Sequence, residues 1–221
     1  MSVWQVIALV LGAYLLGAVP AGYLVVRHVR GEDIRRYGSG NIGATNVGRL
    51  MGRRWGVAVW FLDSFKGFAP CFMAGLLTGH HWGDFTLNLT VVVCGLAAVI
   101  GHMFPVYLGF RGGKGVSTSC GVFLYLFPQG FLIAAAVWGL VVALLRYVSL
   151  ASILAALTLA GAALLLPDAP LGASKYLTGV SVLAAALVIA RHASNISRLI
   201  RGTENKVGSQ HPFSHGQDRK D

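Results

Sequence analysis

Negative charge is what this chain has least of: 8 Asp and Glu stand against 18 Lys and Arg in 221 residues, for a net charge of +10 at pH 7. Charged residues of both signs make up only 12% of the sequence, while 55% of it is hydrophobic. So little charge does not cover the surface of a water-soluble protein, and it excludes a soluble basic fold with a groove-reading element for nucleic acid. Cysteine is scarce as well. Cys71, Cys94 and Cys120 stand in apolar surroundings without CxxC or metal-ligand spacing, which excludes a disulfide framework and leaves them as small packing residues. No polar stretch is long enough to form a soluble domain of its own, so any chemistry takes place at or in a bilayer.

What the chain has instead is a series of apolar runs, several near the roughly 20 residues that a helix needs to cross a membrane, and a mean hydropathy of +0.66. The first run has neither a basic leader nor a small-residue cleavage site, so it reads as a retained span. Hydropathy predicts spans at 3–26, 55–78, 85–105, 116–127, 130–145, 150–166 and 176–190. The stretch 116–145 decides the topology. As one helix it gives six spans. Broken at Pro128, Gln129 and Gly130 it gives seven, with a short fourth span.

Basic residues favour seven. The loop after the first span holds Arg27, Arg30, Arg35, Arg36, Arg49, Arg53 and Arg54, which makes it cytoplasmic and the N-terminus external. With seven spans, 16 of the 18 basic residues lie inside, and only Lys175 lies outside. The fold expected is therefore an all-α, polytopic membrane bundle of seven transmembrane helices with a cytoplasmic C-terminus. Residues 1–206 form its single domain, and 207–221 form a disordered tail.

Three polar interruptions carry the chemistry. In SGNIGATN (39–46), Gly40 and Gly43 allow backbone N–H groups to converge, while Ser39, Asn41, Thr45 and Asn46 add side-chain donors. Arg49 follows one helical turn later and offers a forked contact to phosphate. In FRGGKGVST (110–118), Gly112, Gly113 and Lys114 precede a short helix, and an N-terminus of that kind suits an anion. The string fails the P-loop pattern, because Gly115 follows Lys114 where Ser or Thr is required, so phosphate without nucleotide is the better fit. In RHASNISRLIRGTENK (191–206), His192 and Asn195 share a helical face, and Arg191, Asn195 and Arg198 form a stripe. His192 can donate a hydrogen bond or act as a base near neutral pH. Glu204 is expected to pair with a basic neighbour.

Two further features invite a decision. Asp63 and Lys66, three apart inside the second span, must face the bundle interior as a pair or as part of a polar pocket. The HVRGED string (28–33) matches the HxxxxD pattern of soluble-domain acyltransferases but has none of their other blocks around it, so it reads as chance.

Together SGNIGATN, GHMFPVYLGFRGGKGVST (101–118) and RHASNISRLIRGTENK resemble the three signature motifs of the bacterial membrane acyltransferases that acylate glycerol 3-phosphate from acyl phosphate. Order and spacing fit over 3–206, with Ile42, Arg111 and Ser117 where proline, lysine and alanine are common. The resemblance implies a multi-pass enzyme of the bacterial inner membrane with its active site facing the cytoplasm. It implies transfer of a fatty acyl group to the sn-1 hydroxyl, giving lysophosphatidic acid and inorganic phosphate, the first step of phospholipid synthesis. Its substrates are acyl phosphate and glycerol 3-phosphate. Neither a cofactor, a metal nor an obligate protein partner is expected. The motif positions that match are Ser39, Asn41, Thr45, Asn46 and Arg49, then His102, Gly112, Gly113, Lys114 and Thr118, then His192 and Asn195. Ser39, Arg49 and Lys114 are expected on phosphate, and His192 with Asn195 on glycerol 3-phosphate; His102 is a second candidate base. The alternative from another class is a transporter of phosphorylated metabolites, against which the short, nearly uncharged outer loops argue.

Overall fold

The computed structural model describes residues 1–80, 88–165 and 175–208. The described residues form α-helices and two short 3-10 turns. Helix α1 (Val3–Ala18) opens on a capping box between Ser2 and Gln5 and ends before Pro20, which cannot donate to the previous turn. The first predicted span is therefore not one helix: α2 (Ala21–Arg30) restarts after the break and ends on Gly31 in the left-handed region. Helix α3 (Ala44–Met51) is a short amphipathic segment starting at Gly43, and α4 (Arg53–Thr78) is the longest. At 26 residues α4 reaches about 39 Å, enough for a bilayer core of about 30 Å.

Helix α5 (Leu89–Met103) is capped by Asn88. The stretch 116–145 is two helices, α6 (Val116–Leu126) and α7 (Pro128–Leu145), as charge favoured. The break is narrower than Pro128 to Gly130, however. Phe127 alone separates the helices, because a proline at the first helical position has no N–H to lose. Helix α8 (Val148–Leu165) pairs with α9 (Lys175–Arg191), and α10 (Ala193–Ile200) leaves α9 at 60° through His192. The predicted loops at 79–84 and 167–175 and the tail at 207–221 lie largely outside the described residues.

The principal pairings are α1 on α5, α4 on α6, α7 on α8 and α8 on α9. Small residues make the closest of them possible. A Cβ on Gly121 would fall 1.8 Å from the Ser64 carbonyl oxygen, and one on Gly17 would fall 2.2 Å from that of Ala98. Among described residues, five helical segments are long and apolar enough to cross a membrane, or six if the bent α9 and α10 count as one. The helix surfaces agree: of 18 residues α7 buries only Gly130 and Ala134, and Leu132, Leu140 and Leu144 point outward. An apolar exterior on such helices is a surface made for lipid. Asp63 and Lys66 turn inward on α4 and pair at 2.8 Å. Asp33, the acid of the HxxxxD string, caps the turn at Ile34–Arg36 and is held by Arg35 at 2.7 Å, a local structural role. The Arg35 side-chain hydrogen bonds hold its carboxyl down at about 2.

Candidate active site

The second and third polar stretches meet although 81 residues separate their key side chains. Lys114 Nζ donates to Asn195 Oδ1, and Asn195 Nδ2 donates to Glu204 Oε1 at 2.7 Å. Glu204 also receives Ser149 Oγ at 2.8 Å and Arg198 Nε at 2.7 Å, so the expected pairing of Glu204 is with Arg198. One buried carboxylate thus organises a lysine, an amide and a guanidinium. Arg49 of α3 lies within electrostatic reach of Glu204, Arg198 and Lys114. Three segments distant in sequence deliver their charges to one place.

Electrostatics prepare this place for an anion. Burial pushes the Lys114 ammonium down to about 8; Glu204 pulls it back up, while Arg198, Arg49 and Arg191 push it down. Burial likewise lowers the pKa of Arg49, against the pull of Glu204. Cations crowded among cations, with their hydration thinned, gain more from a phosphate than isolated surface cations would. Burial also raises the Glu204 carboxyl, but the hydrogen bonds from Asn195, Ser149 and Arg198 win and hold it ionised below its usual range.

The loop carrying Lys114 is shaped from both sides. Gly113 donates its N–H to the His102 carbonyl at 3.0 Å, and Arg191 donates to the carbonyls of Gly113 and Gly112 at 3.2 and 3.1 Å. With those carbonyls turned to Arg191, Gly115 adopts a φ of +81° and starts α6, whose first helical N–H bond is Ser119 to Gly115. The earlier N–H groups, at 116–118, remain for an anion beside Lys114.

His192 sits at the α9 to α10 bend, 2% exposed. Its Nδ1 lies 2.8 Å from the Val188 carbonyl, which can only accept, so Nδ1 carries the proton and Nε2 keeps its lone pair. Burial, and after it the charge of Lys114, pushes the imidazole down to about 4. At neutral pH it is an uncharged acceptor, and contrary to the sequence expectation it is not a base poised near neutrality, because burial has pushed it well below.

The two glycines of the first stretch differ in conformation. Gly40 is left-handed at φ +68°, but Gly43 has an ordinary φ of −78° and caps α3. Three N–H groups of the stretch have internal acceptors, while those of Ala44 and Thr45, which open α3, have none among described residues. Ser39 donates to Asn46 Oδ1 at 3.1 Å, Gly40 to the Tyr37 carbonyl at 3.0 Å and Gly43 to Asn41 Oδ1 at 2.9 Å. Asn46 Nδ2 in turn donates to the carbonyls of Tyr37 and Asn41. The side chains of Ser39 and Thr45 remain exposed, and Arg49 is the member of this stretch that joins the charge cluster. His102 and Thr118 are buried, His102 beneath Gly113 and Thr118 against Gly67 of α4.

The predicted stripe of Arg191, Asn195 and Arg198 is broken at His192: Arg191 turns to the glycine loop and the other two to Glu204. Sequence reasoning missed Ser149, which lies between two apolar runs with no motif around it. It also missed the grip of Arg191 on Gly112 and Gly113.

Residues 7–202 match the glycerol-3-phosphate acyltransferase family. Glycerol-3-phosphate acyltransferases of two Staphylococcus aureus strains, JH9 and Newman, are 42% identical over 204 residues, 92% of this chain and 98% of theirs. The fold is similar to a crystal structure of PlsY (YgiH), an integral membrane glycerol 3-phosphate acyltransferase, in its glycerol 3-phosphate form. The TM-score is 0.83 at 39% identity, covering 92% of this chain and 96% of that one. Its lysophosphatidic acid form gives 0.80 at 37%. The charge cluster at the junction of α6, α10 and the 203–208 segment is thus carried on the scaffold of that family, and the chain belongs to the glycerol-3-phosphate acyltransferases.

Proposed function

We propose that this chain transfers a fatty acyl group from acyl phosphate to the sn-1 hydroxyl of glycerol 3-phosphate, releasing lysophosphatidic acid and inorganic phosphate. The observation that carries the site assignment is the Lys114, Asn195 and Glu204 chain, which joins two glycine-rich or basic motifs in one buried cluster. Both substrates bring phosphate, and the site offers Lys114, Arg49 and the start of α6. Family membership decides against the transporter alternative.

The reaction needs alignment more than activation. The hydroxyl oxygen attacks the acyl carbonyl carbon; a C–O bond forms as the bond to the phosphate oxygen breaks and phosphate leaves. An acyl phosphate is already activated, so no protein nucleophile is required. Lys114, Arg49 and the loop N–H groups stabilise the oxyanion and the departing phosphate. His192 Nε2 is available to accept the hydroxyl proton, with a substrate phosphate oxygen as the other acceptor. Asn195 holds Lys114 in place through its amide oxygen. Ser39 completes the contacts to phosphate from the first loop.

The bundle has seven spans on this reading, with α6 as a short one of about 16 Å, the N-terminus outside and the site facing the cytoplasm. Support comes from the basic residues that gather on one side. A cysteine placed at exposed Arg201 of a cysteine-free variant should react with an impermeant maleimide only from the cytoplasmic side; labelling from outside would sink this topology. For the chemistry, purified protein given palmitoyl phosphate should release inorganic phosphate only when glycerol 3-phosphate is present. Lys114→Ala should lower that release by about 100- to 1,000-fold. Release that ignores glycerol 3-phosphate or survives the substitution would reject the assignment.

A further inference from the structure

We propose that buried Asp63, Lys66 and His102 are positioning residues that set the depth of the Gly113 peptide and so the place of Lys114. The proposal rests on the reading of the 110–115 loop as the phosphate-holding element.

Asp63 and Lys66 are 1% and 4% exposed, and their ion pair closes at 2.8 Å. A charge inside a bilayer is costly, and a buried ion pair often gives no net stability over apolar packing of similar volume. A pair kept for stability would also fill its remaining acceptors. This one does not: neither Asp63 Oδ2 nor His102 Nδ1 has a hydrogen-bond partner among described residues. His102 Nδ1 stands 3.6 Å from Asp63 Oδ1, too far for a hydrogen bond but in direct contact with the carboxylate.

The other side of the imidazole faces the loop. A Cβ built on Gly113 would fall 2.0 Å from His102 Nε2, so the ring packs directly beneath the Gly113 backbone. The His102 carbonyl takes the Gly113 N–H, and a Cβ on Gly112 would fall 2.2 Å from that same oxygen. From the opposite side Arg191 holds both glycine carbonyls. The loop is clamped between His102 and Arg191, and the His102 ring is seated on Asp63. Lys66 anchors this seat, because its Nζ also donates to the Val19 carbonyl at 2.7 Å, at the break between α1 and α2. A continuous series of contacts therefore runs from the α1 to α2 break through Lys66, Asp63 and His102 to the residue before Lys114.

The test compares wild type with Asp63→Asn/Lys66→Met, which removes both charges without stranding either, and with His102→Asn. Thermal midpoint, the Kd for inorganic phosphate by calorimetry and kcat for acyl transfer are measured on each full-length protein in detergent. Folded variants with an unchanged midpoint should bind phosphate at least about tenfold more weakly and turn over at least about tenfold more slowly. A folded variant of either kind with Kd and kcat within about twofold of wild type would overturn the proposal. So would loss of folding in both, which would make the three residues structural only, and so would a wild type that binds no phosphate. A wild type that binds phosphate but transfers no acyl group would sink the acyltransferase reading alone, since the phosphate affinities still decide the positioning role.

Discussion

The loops at 39–46 and 110–115 both contain glycines, but the first is rich in small polar residues and the second in cations, and different side chains grip their backbones. In the first, Asn46 sits at the centre and consumes the N–H of Ser39 and the carbonyls of Tyr37 and Asn41. In the second, Arg191 holds the carbonyls of Gly112 and Gly113, the N–H groups of Phe110, Arg111 and Gly113 have carbonyl acceptors, and those opening α6 at 116–118 have none among described residues, beside a half-buried lysine. The difference lies in which side chain takes the peptide groups: Arg191 grips two carbonyls, whereas Asn46 grips one N–H and two carbonyls. We propose that the 110–115 loop receives phosphate through Lys114 and the start of α6, and that the 39–46 loop is a mount that positions Arg49 and the exposed Ser39.

The sharpest way to break the comparison is alanine at one glycine of each loop. At Gly113 the new Cβ would overlap His102 Nε2 at 2.0 Å, so the loop must lift and carry Lys114 with it. A displacement of about 1 Å in a catalytic group costs on the order of 100-fold, and that is the loss expected in kcat for Gly113→Ala. At Gly40 the nearest atom to a new Cβ is the Arg35 carbonyl oxygen at 3.2 Å, and the burden is a φ of +68°, a strain of about 1 kcal/mol in a mount outside the charge cluster. Gly40→Ala should therefore cost much less activity. Equal losses at both positions would mean that the two loops hold phosphate alike.

Acidity sharpens the contrast next, because Lys114 and Arg49 deliver charge with different pH limits. Lys114, held down at about 8, is cationic below that pH and neutral above it. The value of kcat/KM, which reports the free enzyme, should be level below pH 8 and fall about tenfold per unit above it if the ammonium is required. Lys114→Arg should lose activity at every pH, because a planar fork replaces a point charge, but its alkaline fall should vanish from the range below pH 10. A wild-type profile flat to pH 10 would remove Lys114 from the essential groups.

Much of the architecture was legible because hydrophobic length is a local property. The separation of 116–145 into α6 and α7 followed from basic-residue parity plus a proline, and the structure has it, displaced to Phe127 because proline opens a helix as readily as it ends one. The break at Pro20 was hidden inside an uninterrupted apolar run, where composition says membrane and only the missing N–H says two helices. In the site, Lys114 and Asn195 could each be picked out by motif. Their contact could not, since it spans α6, α7, α8 and α9 and has no periodicity to betray it. The helical stripe of Arg191, Asn195 and Arg198 failed for a related reason. It assumes a straight helix, and the 60° bend at His192 sends its members to different partners.

The smallest effect is expected where the first loop is loosened without touching a charge. Asn46→Ala removes the acceptor of the Ser39 N–H and the donor to two carbonyls, contacts worth about 1 kcal/mol each in mutational series. Because Asn46 is itself 2% exposed, its loss also leaves a gap in the packing of the loop, so the thermal midpoint should drop by a few degrees. Arg49, one turn along α3, stays on its helix, and Lys114 is untouched. Activity should then fall only about tenfold, as a rise in KM for glycerol 3-phosphate with kcat nearly unchanged, because a looser mount weakens ground and transition states alike. A fall in kcat as large as that of Gly113→Ala would reverse the assignment and make the first loop, not the second, the element that meets the transition state. Unchanged KM and kcat would mean that Arg49 needs no mount at all, and that α3 is held by its packing on α4 instead.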